Sequence, residues 1–189
     1  ELIPHPTSIT KLKRLSAILG GPNIYVKRDD TNFLGGGGSK LRKLEFYLGA
    51  ARQAGCDTII AMGAMQSNHA RLSAAAALSA GFACEIILGR KVPRDDSDYL
   101  HNGNLLLDRI MGVTIHETDA SSDLMALALA RKAELEIQGK KVYIVPFGGS
   151  CALGSLGYVY CAFEIAAQEQ SMGIAFDSIV LANGSSGTH

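Results

Sequence analysis

The sequence predicts an α/β fold, an open parallel sheet with helices on both faces. Short β-branched runs alternate with longer stretches of helical periodicity along the chain. The 189 residues are 47% hydrophobic, which is enough to fill a buried core. No repeat, low-complexity stretch or proline-rich linker interrupts the series, so a second domain has to be an insertion within it.

Strands are expected at 24–27, 58–62, 84–88, 113–116, 142–145 and 178–181, each a β-branched or apolar run. Helices are expected at 40–53, 68–80, 99–111, 122–138 and 153–169. The first helix puts Leu41, Leu44, Tyr47, Leu48 and Ala51 on one face and meets Gly55 as a stop. Ser67 stands as the N-cap of the alanine-rich helix that begins at Asn68. Strand, helix, strand repetition implies right-handed crossovers and parallel pairing.

Composition narrows the function classes. Lys and Arg balance Asp and Glu at 18 each, and no basic run gathers locally, so neither nucleic acid nor an anionic membrane is an expected partner. No apolar stretch is read as reaching the roughly 20 residues of a membrane span. The N-terminus lacks a signal-peptide layout, and a cytoplasmic location is expected. Cys56, Cys84, Cys151 and Cys161 show no Cys-x-x-Cys spacing; they read as small buried hydrophobes, and no metal site is expected.

The chemistry begins at Gly35-Gly36-Gly37-Gly38-Ser39-Lys40-Leu41-Arg42-Lys43-Leu44-Glu45, a glycine run that delivers a lysine into the start of a helix. Glycine lets backbone approach a ligand closely, and a helix start offers free N–H groups and a positive dipole end, so an anion can sit beside a reactive amine. That combination suits pyridoxal phosphate. Positive charge from Arg42, Lys43 and the helix terminus is expected to lower the Lys40 pKa and favour the neutral amine that such chemistry needs. A nucleotide-binding phosphate loop fails, because Leu34 and Ser39 stand where its glycines belong and Leu41 where its hydroxyl belongs. No Gly-x-Gly-x-x-Gly follows an expected strand either. The plainer alternative is a flexible loop with an exposed lysine.

Ligands of open sheets gather beyond the carboxyl ends of the strands. Three loops there carry chemistry. Met65-Gln66-Ser67-Asn68-His69-Ala70-Arg71 either caps a helix or holds a carboxylate on hydroxyl, amide and N–H donors. Phe147-Gly148-Gly149-Ser150 leaves a strand after Pro146. Asn183-Gly184-Ser185-Ser186-Gly187-Thr188-His189 suits a phosphate cup, or else a linker.

Together with Lys27-Arg28-Asp29-Asp30, these segments stand in the order of the landmarks of the D-cysteine desulfhydrase and 1-aminocyclopropane-1-carboxylate deaminase family, which the chain resembles from its first residues to its last. That resemblance implies a fold-type II enzyme related to the tryptophan synthase β subunit, with pyridoxal 5′-phosphate as cofactor. A smaller lobe, 45–150, would be inserted in a larger cofactor domain made of 1–44 and 151–189. Lys40 would be the Schiff-base lysine and, once freed, the base. Ser67 would be catalytic and, with Asn68 and His69, would bind the substrate. Lys43 and Asn68 would contact the cofactor, and Gly184, Ser185, Ser186, Gly187 and Thr188 would cradle its phosphate.

The implied reaction is β-elimination from a small amino acid such as D-cysteine, giving pyruvate, ammonia and sulfide. Deamination of 1-aminocyclopropane-1-carboxylate and L-cysteate sulfo-lysis are the alternatives, as is an inactive ligand-binding fragment. His69 favours the desulfhydrase branch, since the deaminases of this type carry glutamine there. The full-length protein would be a homodimer. Ser39 departs from the family's asparagine before the lysine. The family's second half, with the partner of the pyridine nitrogen and a catalytic tyrosine, has no counterpart in the sequence, which reads as truncated.

Overall fold

In a computed structural model, the described residues are 2–4, 6–182 and 187–188. In chain order the elements are β1 (Ile9–Lys11), α1 (Lys13–Leu19), β2 (Tyr25–Lys27), α2 (Leu41–Gln53), β3 (Thr58–Ala64), α3 (Asn68–Ser79), β4 (Ala83–Gly89), α4 (Ser97–His101), α5 (Gly103–Ile110), β5 (Thr114–Thr118), α6 (Leu124–Ile137), β6 (Val142–Val145) and α7 (Ala152–Met172).

The main sheet has four parallel strands in the order β5-β4-β3-β6. The chain winds outward from β3 through β4 to β5, then returns to place β6 on the other side of β3. The order therefore reverses at β3, and the crevice beyond the carboxyl ends of β3 and β6 is where such a sheet receives a ligand. Successive side chains of β3 alternate between two cores. Ile59 and Ala61 join Leu41, Leu44, Tyr47, Leu72 and Leu105 under α2, α3 and α5. Ile60 and Met62 join Leu124, Ala128 and Leu135 under α6. Helices thus cover both faces, as the sequence implies.

The first helix follows its apolar stripe: Leu41, Leu44, Tyr47, Leu48 and Ala51 are all buried. It ends where Gly55 turns at φ 69°, and the Cys56 amide returns to the Ala51 carbonyl at 2.9 Å.

Several expectations are corrected. The helix expected over 99–111 breaks in two, because Asn102 is extended and caps the Gly103 amide with its side chain at 2.8 Å, while Gly103 takes φ 61°. No strand forms at 178–181; no described strand runs beside it, and Ile179 and Val180 stay 67% and 95% exposed. The antiparallel pair β1 and β2, and helix α1, carry little periodicity and were not anticipated as a unit. Cys151 is exposed and Cys56 only half-buried, while Cys84 and Cys161 are buried. The span Phe147–Met172 is long and apolar enough to cross a membrane by length and composition alone. Within the fold its helix packs along α2.

The close approach of α7 to α2 depends on small residues. A Cβ on Gly157 would overlap the Arg42 carbonyl and stand 3.0 Å from the Lys43 amide. Beside that contact, the buried Arg42 guanidinium reaches Asp29 at 2.8 Å and Glu164 at 2.9 Å, and donates to the Thr7 hydroxyl at 2.9 Å. This network ties the N-terminal segment, α2 and α7 together.

Candidate functional site

The glycine run forms a tight bend that ends on Lys40. Gly37 has φ 71°, and a Cβ there would overlap the Asn32 carbonyl and stand 2.6 Å from that of Asp30, so only glycine fits. The close approach that these glycines permit is to the chain's own backbone and to α3. The bend is held on both sides. Arg71 of α3 donates to the carbonyls of Gly35 and Gly37, the latter at 3.2 Å, and Tyr158 of α7 donates to the Ser39 carbonyl at 3.0 Å.

Lys40 is the N-cap of α2, one position ahead of the first helical residue. Its side chain is half-buried, and among the described residues its amine makes no hydrogen bond or ion pair. Burial lowers its pKa. The expected effect of Arg42 is corrected, because its charge is met by Asp29 and Glu164. Desolvation is what favours the neutral Lys40 amine.

Lys43 lies one turn on and is buried. Its ammonium donates to the Ser150 hydroxyl at 3.2 Å and the Gly148 carbonyl at 3.4 Å. Its pKa is lowered to about 8, first by burial and then by the charge of Lys40, with Cys151 acting in the opposite sense. Gly187 closes over this group: a Cβ there would overlap Lys43 Nζ and stand 2.6 Å from Ser150 Oγ. Backbone has therefore come directly against a cation and a hydroxyl. Thr188 is half-buried beside it in sequence; Gly184, Ser185 and Ser186 lie outside the described residues.

Ser67 caps α3 as the sequence implies, accepting from the Ala70 amide at 3.1 Å. The cap uses a lone pair of the hydroxyl and leaves its proton to donate elsewhere. Asn68 is exposed at the helix start. His69 is buried; its Nε2 pairs with the Pro146 carbonyl at 3.1 Å, and among the described residues Nδ1 has no partner. A carbonyl can only accept, so Nε2 carries the proton and Nδ1 presents a lone pair. Burial first, and then the charge of Lys40, lower the His69 pKa to about 4, so the ring is neutral near pH 7.

These groups meet at the carboxyl ends of β3 and β6. A Cβ on Gly149 would lie 3.3 Å from the His69 ring, 3.3 Å from Tyr47 and 3.4 Å from the Lys43 stem. Lys40 acts electrostatically on both His69 and Lys43. Sequence reading placed Arg71 and Ser150 in loops of the site without giving either a role, and missed Tyr158 and Tyr47, which only the fold carries to it. The Tyr47 hydroxyl is 2.9 Å from the Cys151 sulfur, and Cys151 has a lowered pKa, chiefly through that contact. A groove of about 1200 Å³ lies elsewhere, between α2 and α7 at Phe46, Tyr160 and Phe163.

The donor set fits pyridoxal phosphate. Among the described residues it offers a desolvated amine without a partner, a buried cation and hydroxyl beside a glycine backbone for a phosphate, and an unpartnered ring nitrogen. Among the described residues no group of three His, Cys, Asp or Glu gathers to hold a metal.

Comparison with known proteins agrees. A family model described as "Pyridoxal-phosphate dependent enzyme" matches residues 1–189. D-cysteine desulfhydrases of Serratia proteamaculans (strain 568) and Yersinia pestis (strain Pestoides F) are each 44% identical over 189 residues, covering 100% of this chain and 57% of theirs. The chain thus spans little more than half the length of these curated relatives. Among solved structures, an ACC deaminase homologue superposes with a TM-score of 0.87 at 40% identity, over 100% of this chain and 55% of that one. An O-ureido-L-serine synthase has a TM-score of 0.69 at 20% identity, over 96% of this chain and 53% of that one, a likeness of fold alone.

Proposed function

The chain belongs to the family of pyridoxal-phosphate dependent enzymes, and on that premise we propose that the protein is a lyase that eliminates the β-substituent of a small amino acid, D-cysteine first. The overall change is D-cysteine plus water to pyruvate, ammonia and hydrogen sulfide. The observation that carries the reading is the Lys40 amine, desolvated and without a partner among the described residues, beside a neutral His69. Identity of 44% to D-cysteine desulfhydrases, with histidine at position 69, supports the substrate.

When bound, the cofactor supplies an aldehyde to join the substrate amine and a conjugated ring to absorb electrons. Lys40 would hold the cofactor, and its Nζ, kept neutral by burial, would be the base for the α-proton. Lys43 and Ser150, with the backbone at 187–188, bind the phosphate. The Ser67 hydroxyl and the Asn68 amide at the start of α3 take the substrate carboxylate, assisted by the helix dipole. His69 accepts a hydrogen bond at Nδ1. Gly184, Ser185 and Ser186 belong to the same phosphate cup in this reading.

The lobe division, 45–150 within 1–44 and 151–189, belongs to the proposal, with its first boundary inside α2. So do the homodimer and the cytoplasmic location. A second reading, deamination of 1-aminocyclopropane-1-carboxylate, draws on the 40% identity to an ACC deaminase homologue. Assays of the full-length protein with D-cysteine, L-cysteine, L-cysteate and 1-aminocyclopropane-1-carboxylate separate the readings. Pyruvate with sulfide from D-cysteine is expected; 2-oxobutanoate from the cyclopropane alone would replace the first reading with the second.

A further inference from the structure

The bend that presents Lys40 is glycine from 35 to 38, and each of these residues has positive φ. Such a segment loses the most conformational freedom on ordering, so something has to hold it. Arg71 reaches it from the first turns of α3. One guanidinium nitrogen donates to Gly35 and the other to Gly37, which fixes the peptide planes between Gly35 and Gly36 and between Gly37 and Gly38. The fork is itself buried, and its Nε has no partner among the described residues. On α5, Asp108 is 1% exposed, neither of its carboxyl oxygens is hydrogen-bonded among the described residues, and burial raises its pKa to about 7 against the opposing charge of Arg71. A buried arginine set against two loop carbonyls braces the glycine bend against α3.

We propose that Arg71 is a positioning residue for Lys40: its bidentate hold on Gly35 and Gly37 sets the direction in which the Lys40 amine enters the site. The proposal rests on the reading of Lys40 as the cofactor-bearing lysine. It distinguishes Arg71 from its motif neighbours Ser67, Asn68 and His69, which face ligand, whereas Arg71 acts through the loop. Lysine cannot replace it, because a single ammonium on a flexible stem does not span two carbonyls in a fixed plane.

The test compares full-length Arg71→Ala and Arg71→Lys proteins with the unaltered one, using circular dichroism to establish folding. Two readouts are followed: borohydride trapping of pyridoxal phosphate on Lys40, mapped by peptide mass, and turnover with and without guanidinium chloride at non-denaturing concentration. Both variants should trap cofactor on Lys40 more slowly and lose at least about tenfold in kcat, with KM changed less than about threefold. Added guanidinium should restore part of the Arg71→Ala loss and none of the Arg71→Lys loss. Folded variants with unaltered trapping and kcat would overturn the proposal, as would a deficit in Arg71→Ala that guanidinium leaves untouched. Failure to trap cofactor on Lys40 in the unaltered protein would instead remove the functional reading, and this proposal with it.

Discussion

Lys43 extends its ammonium to 3.2 Å from the Ser150 hydroxyl, joining the helix that follows Lys40 to the loop that leaves β6. Burial and the neighbouring Lys40 charge bring its pKa to about 8, so it is largely a cation near pH 7 and loses that charge above about 8. An anion placed there would relieve the repulsion. Phosphate should therefore raise the melting temperature by mass action, more at about pH 7.5 than at about pH 9.5, and much less in Lys43→Met. Differential scanning calorimetry with and without phosphate reads this directly; an equal rise in Lys43→Met would place the anion elsewhere.

Ser67 accepts from the Ala70 amide and keeps its own proton. Ser67→Ala should cost about 1 kcal/mol of stability through the lost cap. If the proton also meets the substrate carboxylate, kcat/KM should fall by about ten- to a hundredfold, as expected for loss of a charge-assisted hydrogen bond. Lower melting with near-normal kcat/KM on every β-substituted amino acid tested would leave Ser67 as a helix cap only.

His69 couples stability to acid. Its pKa falls from 6.5 to about 4 in the fold, so above about pH 6.5 the ring is neutral in both states and contributes no pH dependence. Below that, the unfolded chain binds the proton first, and stability is lost as the pH falls toward 4, on the order of 3 kcal/mol in all. His69→Gln should lose this component when urea unfolding is compared across the range. An unchanged acid slope would show that another group titrates there.

Gly157 sets how closely α7 meets α2. Gly157→Ala would drive a methyl into the Arg42 carbonyl, so a destabilisation of about 1–3 kcal/mol or more is expected, with Lys43 displaced as well. Thermal melts with cofactor binding on the same variant check both effects; a wild-type melt would mean that the helices move apart freely.

Much of this was legible in the sequence because local chemistry and final structure coincide. The α2 stripe from Leu41 to Ala51, the Ser67 cap and the β3, β4, β5 and β6 runs follow from periodicity and capping, and the order of loops around Lys40 from position in an alternating chain. Arg71 was named in its motif but given no role of its own, because its partners are backbone carbonyls 34 and 36 residues away, which no side-chain motif records. The electrostatics of Lys40 were misjudged for a related reason: Arg42 adjoins it in sequence, yet Asp29 and Glu164 neutralise that charge. The run at 178–181 looked like a strand because β-branched composition reports fitness for a sheet and not the presence of a neighbour.

The central claim is that Lys40 carries the cofactor. Borohydride reduction of the full-length protein loaded with pyridoxal phosphate, followed by peptide mapping, should place the pyridoxyl group on Lys40. Finding it on Lys43 or Lys27 instead would contradict the account.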